Sequence, residues 1–166
     1  MTNQELLERY RSTTEELLQL IEKFDAGSFT RKPADNGWNA CEVAEHLRLF
    51  DVRLNEVLAT SHKPAERDPL EKVPEFTPRV TNRAVKLEAP PFLVPAVDNS
   101  SPEEMGSQIR SEREKIMSAI ENNDLTLIST EFPHRLFGEM TAREWVVFCD
   151  MHTHRHLPQL TSLLPV

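Results

Sequence analysis

One short pattern occurs four times in this 166-residue chain and decides most of what it can fold into. Thr2 and Glu5, Asn39 and Glu42, Ser101 and Glu104, and Thr141 and Glu144 each set a small polar side chain three residues before a glutamate. At the start of a helix the small side chain accepts from a free backbone N–H, and the glutamate reaches back to the N–H of the cap. Two donors that the helix itself cannot satisfy are thereby paired. Each pattern precedes apolar residues spaced by three, four or seven, which draw one stripe along a helix. The stripes are Leu6, Tyr10, Leu17, Ile21 and Phe24; then Val43, Leu47, Phe50, Leu54 and Val57. Met105, Ile109, Ile116 and Ile120 form the third, weakened by Gly106. Trp145, Phe148, Cys149, Leu160 and Leu163 form the fourth, with histidines in its middle. Pro102 suits a first helical position, where its missing N–H costs nothing. Each stripe must be buried against another helix, so the chain predicts an all-α fold, a four-helix bundle.

The connections give the topology. Between the second and third helices lie about 40 residues, far longer than an ordinary loop. They hold Pro64, Pro69, Pro74, Pro78, Pro90, Pro91 and Pro95, a composition that neither continues a helix nor sustains a central strand. A connection of this length can travel the whole bundle, which predicts a long crossover between helices 2 and 3, with those two helices parallel. The apolar piece Pro91 to Val97 is expected to lie back across the bundle and cover one side of it, because such side chains would not stay in water. Residues 122 to 140, with Pro133 and Gly138, read as a turn-rich lead into the last helix. No internal repeat or second domain is evident, and residues 1–166 read as one domain, long enough to bury roughly 70% of its unfolded surface.

Charge narrows the partners. A formal charge of −8 with pI near 5.3 supplies no basic stripe to neutralise phosphates, which argues against nucleic acid and against an anionic membrane surface. The polar, acidic start lacks the features of a secretory signal, and no segment approaches the roughly 18 apolar residues of a membrane span. The expected location is cytoplasmic, where Cys41 and Cys149 are free thiols. A small-molecule substrate remains open.

The histidines of the last helix are the feature with chemistry in it. His152 and His156 are separated by about 40° around the axis and about 6 Å along it, whereas His154 points the other way. The pair continues the line of Trp145, Cys149 and Leu160 and faces the core. His154 is expected at the surface beside an exposed Asp150, four residues before it. Two imidazoles at this spacing can reach one divalent cation but seldom hold it alone. His46 is the candidate for a third, since it sits in the apolar stripe of the second helix, with Glu45 and Arg48 pointing outward. If helices 2 and 4 are antiparallel, His46 comes roughly level with the pair. For any one of these residues an ordinary core histidine is the simpler reading. Three converging imidazoles favour a cation, because each unsatisfied buried nitrogen costs about 1–3 kcal/mol.

These residues also carry a family likeness. Gly37 and Trp38 entering a helix that holds Glu45, His46 and Leu47, then Phe137 to Trp145 leading into His152, Arg155, His156 and Gln159, resemble the DinB/YfiT-like superfamily of four-helix metal-binding proteins. The resemblance covers the whole chain in order and spacing. It implies a divalent metal ion held by His46, His152 and His156. Members include hydrolases, thiol-dependent transferases and isomerases working with low-molecular-weight thiols, so the resemblance does not fix a reaction. It leaves room for a homodimer through an outer helix face.

Other side chains have simpler roles. Pro158 should kink the last helix and free the carbonyl of His154. Cys149 reads as a small buried hydrophobe and Glu42 as a cap. Trp38 and Trp145 read as core anchors, His62 and His134 as solvated loop residues, and Arg155 as an exposed helix charge. No catalytic residue is assigned. The leading expectation is a metal-dependent enzyme that activates a water or small thiol, a hydrolase or thiol transferase. The alternative is a non-catalytic small-ligand-binding or stress-response protein, and imidazole ligands leave zinc, nickel and iron all open.

Overall fold

A computed structural model describes residues 1–60, 62–84, 88–96 and 100–165. Among them are six α-helices: α1 (Asn3–Ile21), α2 (Ala26–Thr30), α3 (Ala40–Ala59), α4 (Val73–Thr81), α5 (Pro102–Asn122) and α6 (Ala142–Ser162). All four expected capping boxes form and open the four long helices α1, α3, α5 and α6. A fifth box, Asp25 with Ser28, opens the short α2, where a serine stands in the usual place of glutamate.

Both α5 and α6 pack against α1 and against α3. Ring contacts give the sense of one pair. His46 meets His152 and His156 while Phe50, one turn later, meets Phe148 and Trp145, so α3 and α6 run antiparallel. Contacts between α3 and α5 run the same way along both: Cys41 reaches the carbonyl of Ser100, and Asn55 donates to the carbonyl of Glu112. The buried apolar side chains fall into two clusters. One holds Leu6 and Tyr10, Phe50 to Leu58, Ile116 and Ile120, and Ala142 to Cys149; the other holds Leu17 to Phe24, Ala40 to Leu47, Met105 and Ile109, and Leu157 and Leu160. Each long helix thus passes from one cluster to the other near its middle. The polar residues Thr13, Thr14, Asp51, Arg113, His152, Thr153 and His156 lie at or near that passage.

The proline-rich connection differs from expectation, because Val73–Thr81 is helical. Pro74 occupies the first turn, and Pro78 removes one interior bond at a cost of about 3 kcal/mol. Against that, Phe76 and Val80 are buried, each contributing roughly 1.5–3 kcal/mol. Two buried side chains outweigh one missing bond. The connection is tied down at several points. His62–Lys63 (β1) pairs antiparallel with Ile128–Ser129 (β2), and Arg67 forks onto Glu144 with two contacts of 2.7 Å. Arg155 donates to the carbonyls of Val80 and Asn82 at the end of α4. Pro91–Leu93 forms a 3-10 turn against α3 with Leu93 buried, so the apolar piece does lie beside His46; its last residue, Val97, lies outside the described residues. Among the described residues no helix is long and apolar enough to cross a membrane.

Candidate metal centre

The second turn of α3 supplies His46, and the second half of α6 supplies His152 and His156. The cap of α3 is satisfied by Glu42, which also pairs with Lys32, so the helix start is fixed one turn before His46. The three rings converge. Nε2 of His46 lies 3.1 Å from Nε2 of His152, and Nε2 of His156 lies 3.2 Å from that same atom. His46 is buried, His152 and His156 partly so, and one nitrogen of each lies within 4.8 Å of the others.

Hydrogen bonds on the far side of the rings set the tautomers. Nδ1 of His46 is 2.7 Å from the carbonyl of Leu93, which can only accept, so that nitrogen carries a proton. Nδ1 of His156 is 2.9 Å from Oε1 of Gln159 and carries a proton for the same reason. Burial lowers the pKa of His46 below the ordinary histidine value, with the Leu93 bond opposing. It pushes His152 well down and, with the neighbouring His46, brings His156 to about 4. Neutral rings protonated on Nδ1 present bare Nε2 lone pairs. His46 and His156 therefore aim two lone pairs at His152, whose Nε2 has one hydrogen at most to offer. The remaining nitrogen of His152, Nδ1, is buried without a partner.

No tautomer of His152 satisfies this arrangement within the protein alone. Moving its proton to Nδ1 leaves three Nε2 lone pairs facing one another, an arrangement a cation would complete. The donor set fits a divalent metal. Trp38 packs 4.9 Å from the His46 ring and Phe50 4.9 Å from the His152 ring, so apolar surface walls the cluster. Gln159 and Trp38, which touch the His156 and His46 rings, also line a cleft of about 340 Å³ with Asp35 and Leu163; the histidines themselves do not line it.

Several neighbours sit differently from what spacing suggests. His154 is exposed as expected, but it bonds to Thr13 at 2.9 Å and not to Asp150. Asp150 is fully buried, held by Arg9 at 2.5 Å and Thr13 at 2.6 Å, partners that lie in α1 and leave no trace in the local sequence. Glu45 is buried and not outward-pointing; Arg48 covers it with bonds of 2.7 and 2.8 Å. His134 is not a solvated loop residue either. Its ring lies between Phe137, Trp145 and Phe148, and burial takes its pKa to about 4. His62 is partly buried with Nε2 lacking a partner. Arg155 is bound to α4 and is not a free surface charge. Cys149 is a buried thiol set on Asp51 and Tyr10, outside the histidine cluster, and burial raises its pKa well above normal. Trp145 is a core anchor, and α6 continues through Pro158 to Ser162.

A buried polar network escaped the reading of the sequence. Arg113 and Asp51 are each 0% exposed and paired at 2.9 Å. A signal existed: Ile109 to Ile116 and Tyr10 to Leu17 are seven-residue gaps in their stripes, filled by Arg113 and by Thr13 and Thr14.

The search of solved structures returns no match. A protein of Bacillus subtilis (strain 168), described as uncharacterized protein YuaE, is 30% identical over 133 residues, covering 80% of this chain and 81% of that protein. A family model described as the DinB superfamily matches residues 9–160, a span that includes His46, His152 and His156, and the chain belongs to the DinB superfamily.

Proposed function

We propose that this protein is a metal-dependent enzyme in which His46, His152 and His156 hold one divalent ion, zinc, nickel or iron, for hydrolysis of a small molecule or transfer of a small thiol. The observation that carries this reading is the convergence of three Nε2 atoms with two tautomers already set from behind. Bound there, a divalent ion supplies Lewis acidity and lowers the pKa of a water or thiol toward neutrality. The protein's own groups do the rest. Leu93 and Gln159 orient two of the rings, Trp38 and Phe50 keep water from the apolar side, and the cleft by Trp38 and Gln159 gives a small substrate its approach. The four long helices act as a bundle, and the connection between α3 and α5 is the crossover, whose turn Pro91–Leu93 borders the site. The protein works in the cytoplasm on a small molecule, without nucleic acid or membrane.

A second reading keeps the pocket and drops the reaction: a small-ligand-binding protein. It is favoured by one observation. Among the described residues the cluster contains histidines alone, with no carboxylate beside them to act as a base. Metal analysis of protein purified without an affinity tag, followed by turnover assays of the loaded protein with thiol and electrophile pairs, separates the readings. Metal-free protein that takes up no zinc, nickel or iron on addition refutes the first reading and leaves the second.

A further inference from the structure

The guanidinium of Arg113 makes contacts in three directions. Nε donates to Oδ2 of Asp51 at 2.9 Å, Nη2 to Oγ1 of Thr153 at 2.7 Å and Nη1 to Oγ1 of Thr14 at 3.3 Å. Those partners belong to α3, α6 and α1, and Arg113 itself to α5, so a single side chain joins all four long helices. Both threonine hydroxyls spend their own protons on their own helices, Thr14 on the carbonyl of Tyr10 and Thr153 on that of Cys149, which leaves lone pairs free for the guanidinium. Asp51 also accepts from Tyr10 and from Cys149. Burial works against both charges. Asp51 raises the pKa of Arg113 despite that burial, so the guanidinium stays charged.

Where these contacts fall matters more than their number. Asp51 lies five residues after His46 on α3, and Thr153 is the residue next to His152 on α6. The cation site is split between the same two helices. Apolar packing is non-directional and tolerates small slides of one helix along another, whereas ligand distances in a metal site tolerate about 0.2 Å. Directional bonds are needed to fix the register to that precision. A planar guanidinium reaches three acceptors at once in fixed directions, which a lysine ammonium on a flexible stem does not.

We propose that Arg113 is a positioning residue for the cation site: by tying Asp51 on α3 to Thr153 on α6, it sets the separation of His46 from His152 and His156. It touches none of the three rings. This inference rests on the metal reading above and adds to it the element that holds the two halves of the site in register.

Thr153 and Thr14 provide the test, because both accept from the same guanidinium but only Thr153 is on a helix that carries ligands. The full-length chain is prepared as Thr153→Val and as Thr14→Val, and zinc affinity is measured by competition with a chromogenic chelator beside thermal unfolding. We expect Thr153→Val to weaken zinc about tenfold, the range for lost outer contacts at a metal site, and Thr14→Val to stay within twofold at a comparable loss of melting temperature. Equal changes in the two, or none in either, would overturn the proposal. The double replacement Arg113→Met with Asp51→Leu exchanges the ion pair for apolar groups without leaving a charge unpaired, and should keep full helicity while weakening zinc by more than tenfold. Should wild-type protein bind no zinc, the metal reading fails by itself. Ring nitrogen shifts of His46, His152 and His156 in metal-free protein then decide the positioning, since they must move in Thr153→Val and not in Thr14→Val.

Discussion

Two groups of buried polar side chains lie side by side near the middle of this molecule, and they differ in how completely they are paired. In the first, Arg113, Asp51, Tyr10, Thr14, Thr153 and Cys149 all find partners within the protein. In the second, three imidazoles crowd their lone pairs together and Nδ1 of His152 finds nothing. A fully satisfied network strengthens a fold, while a partly satisfied one weakens it unless something else completes it. The contrast therefore separates a group paired within the fold from one that the proposed ion would complete.

Removing one member of the satisfied group should cost most. Asp51→Ala leaves a buried guanidinium uncompensated and should lower stability by about 3–5 kcal/mol, read from urea unfolding. Phe50→Ala, in the apolar wall beside the His152 ring, should lose a similar amount, about 3–5 kcal/mol. A loss under about 1 kcal/mol at Asp51 would break the comparison at its stronger end.

The unsatisfied group should respond in the opposite sense. His152→Leu should abolish zinc uptake, yet in metal-free protein it should leave stability unchanged or raise it by about 1 kcal/mol, because it removes an orphaned polar atom. His154→Ala, whose ring points to Thr13, should keep zinc within twofold. Equal zinc loss in both variants would contradict the placement of the site. Chelation of the loaded protein should remove the ion and leave the helical circular dichroism signal in place, since apolar clusters and not the ion form the core.

Acid should act on the same difference. With His156 and His134 at about 4, below the ordinary 6.5, the unfolded chain binds protons first as pH falls. Stability is then complete above about pH 6.5 and is lost progressively toward pH 4, on the order of 3 kcal/mol from His156 alone. A metal-free protein equally stable at pH 7 and pH 4.5 would contradict this. The smallest effect is expected at Phe92, which is 54% exposed beneath Arg53. Phe92→Ala should change stability by less than about 0.5 kcal/mol and shift small-ligand affinity by more, as isothermal titration can resolve.

Features that depend on neighbours along the chain were legible in the sequence. The caps at Thr2, Asn39, Ser101 and Thr141 involve residues three apart, and the shared face of His152 and His156 follows from helical spacing. What could not be read depends on distant partners. The helix Val73–Thr81 exists because Phe76 meets Phe137 and Phe148, more than sixty residues on in the sequence. Asp150 is hidden by Arg9 and Thr13, and Glu45 by an Arg48 that turns back onto it. Arg113 was illegible for another reason: a charge in an apolar stripe reads as an interruption until its acceptors on three other helices are known.

The bond that orients His46 ends on the main-chain carbonyl of Leu93. Every amino acid has that carbonyl, so no substitution at position 93 deletes the acceptor. The exposed side chains of this turn, Phe92 and Val94, can be exchanged without removing the acceptor, whereas buried Leu93 anchors the turn. A change of length within the turn is different, because one residue inserted or deleted inside Pro91–Leu93 moves the carbonyl itself. A library randomised at the exposed positions 92 and 94 should therefore retain the site, where deletion of one codon within Pro91–Leu93 loses it.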